Sequence, residues 1–580
     1  MAMEGDRSAI FSALRAARTG DRLEKILSTL LVVALLVLIL VPVAYVLYGS
    51  FQSEAPGSPD SKFTWANWIV AYSSPNYLRA LGNTVLLGIV VSALSLAVGG
   101  ALAWIIVRTD APWRNQLAIF AIVPLMISNL ITTLAWIALM APNAGFINAW
   151  GRNHLGIRTL FDIYSFSGIV LVHVLHYSSF AFISLFAALR SIDSSLEEAS
   201  YTLGYGPGQT GLKMTLPLIM PAISTTFLVI FVFVAENFSV PTLLGTPVGF
   251  QTLPSLIYYN MAVSPTQPNL AAACGTMLLW IALLGALFQR RLSGTAKSYV
   301  TIGGKGGRSR IVQLGRWRFA ATALVLLFLF LAVLLPYIVL VLGSFLNFLT
   351  PNIRVGSFTL DNYRALLIGD NVPAVVNSLV FAGLGGFGMM VLYVAIGFAV
   401  TKRRQSWARI ADYVTIIPTA IPALILGMGL IWTFVGLPIP VYGTAAILMI
   451  AYFSRFIGFG VRQAKNALGQ VSGDLTEAAR IGGASPLRAF WDVLVPIIRP
   501  SLLSLWTVLF IFIFMEISAT ILLYTPDTRT LSTVLWNYMG SGSQTRAFAV
   551  AVLQATLIFV LLILTDRKFG TLRSTFQREP

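Results

Sequence analysis

Few residues in this chain could do chemistry, and those few are widely spaced. Glu236 and Glu516 stand inside apolar stretches, 19 residues beyond Pro217 and 20 beyond Pro496. At 1.5 Å per residue that is roughly 28 to 30 Å of helix, which sets both near the outer boundary of a membrane if those prolines open their helices. A charge in hydrocarbon costs about 2.5 kcal/mol or more, so each carboxylate must face protein or water. Two roles are open: with Asn237 they line a polar path through the protein, or they are helix ends satisfied by a neighbour. His173 and His176, one helical turn apart, read as lying near the inner end of the fourth apolar run, with Arg455 at the repeat position of His176. A metal needs at least a third ligand, which the spacing does not supply, so this pair reads as packing and hydrogen bonding. The single cysteine, Cys274, excludes an internal disulfide or a cysteine cluster and reads as packing. No carboxylate pair, nucleophile-and-base set or metal cluster stands at a spacing that one face could present, so neither an enzyme nor a bound cofactor or metal is indicated.

The surroundings of these residues are those of an all-α integral membrane protein. Of 580 residues 57% are hydrophobic and 11% charged, with mean hydropathy +0.80, which does not describe a soluble surface. Twelve runs, near 27–50, 80–107, 116–140, 165–189, 216–240, 269–289, 319–346, 376–400, 410–435, 442–464, 493–523 and 547–566, have the length to cross hydrocarbon as helices. About thirty of the 39 Lys and Arg then fall on one side, so the net charge of +17 reports orientation by the positive-inside rule and not affinity for nucleic acid. Both termini are expected in the cytoplasm of a bacterial inner membrane. The first run follows a basic tail but is too long for a signal peptide and reads as an uncleaved span.

The chain is one unit written twice. Gly49-Ser50-Phe51 returns as Gly343-Ser344-Phe345, Asn67 as Asn362, Asn83-Thr84 as Asn377-Ser378 and Pro124 as Pro418, all about 294 residues on. The offset then falls to 279, because the connection Pro142 to Tyr164 is long and its counterpart Gly436 to Tyr442 is short. An even number of spans per half makes the repeats parallel. The expected organisation is a tail at 1–26, a first six-helix half at 27–290, a cytoplasmic linker at 291–317, a second half at 318–566 and a tail at 567–580. Within the linker, Lys305 is followed by Gly306 where a phosphate loop needs Ser or Thr, so an ATP site belongs on another chain.

After the fourth span of each half comes one polar pattern: Glu198-Ala199-Ser200, Gly204, Pro207, Pro217, and again Glu477-Ala478-Ala479, Gly483, Pro486, Pro496. Ser195 or Asp474, three residues before the Glu, suggests a capping box that gives the Glu a structural role. A glycine at positive φ ends that helix, and a proline opens a short second one, with Ser485 as cap in the second copy. This double pattern resembles the cytoplasmic loop of type I ABC importer permeases, with Ser200, Met214 and Val493 as small departures. The resemblance implies that Glu198, Ala199, Gly204 and Pro207, with Glu477, Ala478, Ala479, Gly483 and Pro486, dock on a separate ATP-binding cassette subunit present in two copies. It implies further a periplasmic or extracellular substrate-binding protein.

Segments such as Arg108-Thr109-Asp110-Ala111-Pro112, Glu236-Asn237-Phe238 and Glu516-Ile517-Ser518-Ala519-Thr520 are similar to those of fused permeases for ferric iron. Thiamine, phosphonates, sugar phosphates and polyamines are the alternative cargoes of related layouts. A secondary transporter of major-facilitator layout, also six plus six, is the reading from another class, but it would not need a capped hairpin after each fourth span.

Overall fold

Apolar runs can satisfy their backbone in hydrocarbon only as helices, and this chain follows that constraint. The computed structural model describes residues 33–34, 37–54, 58–296, 311–350, 355–401, 421–436, 439–471 and 473–569. The expected tail at 1–26, residues 570–580 of the expected tail at 567–580, the glycine-rich part of the linker and Lys402-Arg403-Arg404 lie outside the described residues. Along the first half run α1 (Val37–Ser50), α2 (Pro75–Arg108), α3 (Asn129–Met140), α4 (Phe166–Arg190), α5 (Pro207–Glu236) and α6 (Pro268–Gly285). Along the second run α7 (Trp317–Ser344), α8 (Val372–Phe398), α9 (Ala423–Gly436), α10 (Ala445–Leu468), α11 (Phe490–Met515) and α12 (Gln544–Arg567). Nine of these are long and apolar enough to cross a membrane, and α3 makes a tenth if it counts with Arg114–Met126, from which it bends by 92°. The helices α1 and α9 are shorter and adjoin residues outside the description.

The repeated landmarks do the same structural jobs in both halves. The Asn67 amide donates to the carbonyls of Ser50 and Gln52, and Asn362 does so to Ser344 and Leu346. Asn83 ties the N-terminal part of α2 to the Gln251 carbonyl, as Asn377 ties α8 to those of Asp527 and Arg529. Thr84 and Ser378 accept from the amides of Leu253 and Leu531. Each pairing satisfies backbone groups of a loop that have no helical partner.

Within each half the second and fourth spans pack closely, with the glycine of the contact on the second span in one half and on the fourth in the other. Gly99 on α2 lets the backbone of Ser178 and Phe182 on α4 approach, where a Cβ would clash. At the repeat positions Tyr393 on α8 fills the notch left by Gly460 on α10. The halves also interlock: α7 packs on α3, Gly429 of α9 receives the Pro42 carbonyl of α1, and Gly275 of α6 lies against Ile425 of α9.

Candidate functional site

The two polar loops fold as the helical hairpins their glycines require. In the first, a helix over Ser194–Thr202 ends at Leu203, Gly204 turns the chain at φ +84°, and a second helix starts at Pro207. In the second, a helix over Gly473–Ile481 is followed by Gly483 at φ +88° and by a helix from Pro486. The Ser485 hydroxyl accepts from the Arg488 amide and caps that helix. The first cap is not Ser195: the Asp193 carboxylate accepts from the Ser195 amide at 2.9 Å, which holds that carboxyl below its ordinary range. Ser200, the departure from Ala, bonds the Thr210 hydroxyl at 3.0 Å, and the second copy has Ala479 and Ala489 at both positions. Two hydroxyls are thus exchanged for two methyls, which leaves no buried hydroxyl unpaired.

Neither Pro217 nor Pro496 opens a new helix. Five residues of π-turn, Gly211–Thr215 and Phe490–Leu494, lead each hairpin directly into the fifth span. Wider turns of this kind absorb a proline that has no amide to donate. Pro207–Glu236 is therefore one unbroken helix from hairpin to core, so a displacement of the first hairpin is a displacement of α5.

Glu198 and Ala199 are exposed on the first hairpin, with Gly204 and Pro207, and Ala478 and Gly483 are exposed on the second, where Ala479 is half-buried. The structural role expected of Glu198 belongs instead to Glu197. That carboxylate is buried and accepts from Arg108 Nη2 at 2.9 Å and from the Thr215 hydroxyl at 3.2 Å. The helices at Glu477 and Pro486 are described, but their side chains are not.

The second set of polar residues meets at the contact between halves. Arg455 on α10 reaches Glu236 at the end of α5 with Nη1 at 3.6 Å, and Glu516 after α11 with Nε at 4.0 Å. Arg455 is the eleventh of the 24 residues of α10, so the cluster lies about 15 Å from the Ala445 end by the helical rise. The carboxylates are therefore deep in the bundle and not at the outer boundary, because α5 and α11 stop there and the chain continues through short helices. His173 and His176 likewise are the eighth and eleventh residues of α4, remote from its Arg190 end, so the expected inner-end position is corrected. His173 Nδ1 bonds the Ile169 carbonyl, and His176 stands edge-on to Tyr177.

At the 279 offset Glu516 corresponds to Asn237, not to Glu236. Both cap the next helix: Glu516 accepts from the amides of Ala519 and Thr520, and Asn237 accepts from that of Val240. Glu236 is the unmatched carboxylate, and it pairs with an arginine of the other half. Beside the cluster, Trp536 donates to the Tyr258 hydroxyl across the halves at 3.0 Å, with Phe238 packed on both rings. Among the described residues no group of three or more His, Cys, Asp or Glu is placed to hold a metal ion.

Two stretches of the chain, 95–298 and 366–567, match the family model for the binding-protein-dependent transport system inner membrane component. They cover well over half of the sequence and contain one hairpin each. The chain belongs to this family. Among its relatives, the ferric transport system permease protein FbpB of Actinobacillus pleuropneumoniae is 28% identical over 86% of this chain and 72% of its own length. The Fe(3+)-transport system permease protein FbpB 2 of Haemophilus influenzae is 23% identical over 83% of this chain and 88% of its own. A putative 2-aminoethylphosphonate transport system permease protein PhnV of Salmonella typhimurium is 24% identical over 43% of this chain and 94% of its own. A solved bacterial ABC transporter for the import of alginate aligns at TM-score 0.34 and 17% identity, over 42% of this chain and 86% of that one.

For this transport component, reasoning from sequence singled out the hairpins and both carboxylates but not Glu197, its pairing with Arg108 or the bridging role of Arg455. Adjacent helix positions lie about 100° apart, so which of Glu197 and Glu198 is buried depends on how the hairpin sits against α2 and α4. Arg455 was visible only as a basic residue at a histidine's repeat position.

Proposed function

We propose that this chain is the translocation subunit of an ATP-driven, binding-protein-dependent importer of ferric iron, working with two copies of a separate ATPase subunit. The observation that carries the reading is the pair of glycine-turned hairpins, each leading into the fifth span of its half. Glu198, Ala199, Gly204 and Pro207 on one hairpin and Glu477, Ala478, Ala479, Gly483 and Pro486 on the other form the ATPase-docking surfaces. Both hairpins, the linker and both termini are cytoplasmic, as the charge asymmetry requires. Iron as cargo is supported by the ferric permeases that match most of the chain. Glu236, Asn237 and Glu516 are the path-lining polar residues, carrying two formal negative charges against the one positive charge of Arg455, a balance that favours a cation over a phosphonate. Phe238, Tyr258 and Trp536 close the path on the outer side.

The test is reconstitution of the complete complex in proteoliposomes with its ATPase and binding protein. Radiolabelled ferric iron should accumulate only with ATP and binding protein both present. Accumulation without ATP would favour a secondary transporter, and uptake of 2-aminoethylphosphonate in place of iron would overturn the cargo.

A further inference from the structure

Arg108 is the last residue of α2, and its side chain is 2% exposed, against 7% for that of its partner Glu197. Its Nη2 donates to the carboxylate of Glu197 on the first hairpin and, at 3.1 Å, to the Leu189 carbonyl at the end of α4. Its own carbonyl accepts from the Val312 amide at 2.8 Å. Next to it the Asp110 amide donates to the Val312 carbonyl, and Asp110 Oδ1 accepts from the Leu314 amide at 2.9 Å. Val312 and Leu314 belong to the end of the linker, immediately before α7 opens the second half at Trp317. One arginine therefore joins the hairpin, two spans of the first half and the entrance to the second half. The second copy cannot repeat the arrangement, because the position equivalent to Glu197 is Thr476, which carries no charge.

We propose that Arg108 and Glu197 are positioning residues that transmit the stroke of the ATPase from the first hairpin to both halves, so that the two hairpins are mechanically unequal. The proposal rests on the reading of the hairpins as ATPase-docking elements. The physical reason is the cost of separation. Moving Glu197 away from Arg108 would leave two uncompensated charges in a dry site, so the end of α2 follows the hairpin. The ladder from Arg108 and Asp110 to Val312 and Leu314 then carries the motion into α7. The second hairpin acts on its own half through α11.

The test uses the reconstituted complex and reads iron imported per ATP hydrolysed, together with co-purification of the ATPase. Glu197→Gln and Arg108→Gln should each lower that ratio by about tenfold, the size of a typical coupling between sites, while ATPase binding and basal hydrolysis persist. Because both remove the same link, the double variant should be no worse than either single one. If a single variant leaves a buried charge and fails to assemble, the uncharged double variant decides by the same ratio. Val312→Pro, which deletes the amide that Arg108 receives, should lower the ratio in the same direction. An unchanged ratio in the Gln variants overturns the proposal, and so does loss of ATPase binding by the uncharged double variant, which would make the pair a docking element. The docking reading fails separately, if Gly204→Val and Gly483→Val retain ATPase binding.

Discussion

Glu516 serves two partners with one carboxylate, and this separates its fate on substitution from that of Glu236. Each of its oxygens accepts a backbone amide, so Gln, with a single acceptor oxygen, gives up one cap at about 0.5–2 kcal/mol. Leu gives up both and leaves Arg455 facing Glu236 alone. Glu236 holds Arg455 and caps nothing, so Glu236→Gln should spare the fold. The expected result is that Glu236→Gln lowers iron uptake by at least about tenfold, through weaker attraction of a polyvalent cation, with normal yield of detergent-extracted protein. Glu516→Leu should lower the yield itself. Unimpaired uptake by the Glu236→Gln/Glu516→Gln variant would remove both residues from the path.

At the scale of elements, the hairpins depend on two backbone angles. A Cβ built on Gly204 or Gly483 meets nothing within 4 Å, so the only obstacle to a larger residue is the positive φ. For a β-branched side chain that strain is of order 1–3 kcal/mol, too little to unfold the membrane bundle but enough to distort a two-helix turn. Gly204→Val and Gly483→Val should insert normally and lose ATPase association in pull-down. The losses should be unequal, because the buried Arg108–Glu197 pair anchors the first hairpin and the second has Thr476 in place of Glu197. Equal, full ATPase recovery in both variants would show that the turns are not the docking determinant.

For the whole molecule, the parallel repeat and the interlocked halves lead to one topology. Cysteines placed at Asn153, exposed on the short helix Phe146–Leu155 before α4, and at Ser541, exposed in the turn before α12, should react with an impermeant thiol reagent added outside intact cells. Cys274 is buried and should stay silent. Labelling from the outside at position 301, in the linker, would invert the arrangement. The halves are not interchangeable within it: Arg455 of the second reaches into the first, and Val312, at the end of the linker that leads into the second, is bonded to Arg108 of the first. A cut in the linker should therefore disturb coupling more than insertion.

Sequence by itself determined what is local or periodic here. Span length and charge asymmetry answer to the bilayer, the repeat shows as spacing, and a glycine turn between a helix and a proline is specified within about ten residues. The same signals could not tell Glu197 from Glu198, because burial belongs to the surface a residue is pressed against. They set Glu236 and Glu516 at the outer boundary, because a count along one helix does not show that the helix stops inside the bundle. They did not reveal Arg455 as the bridge, since its carboxylate partner Glu236 lies in the other half. Only the packing of the two halves decided which charges meet, because a charge in a dry interior is tolerated only where a partner from another element arrives to meet it.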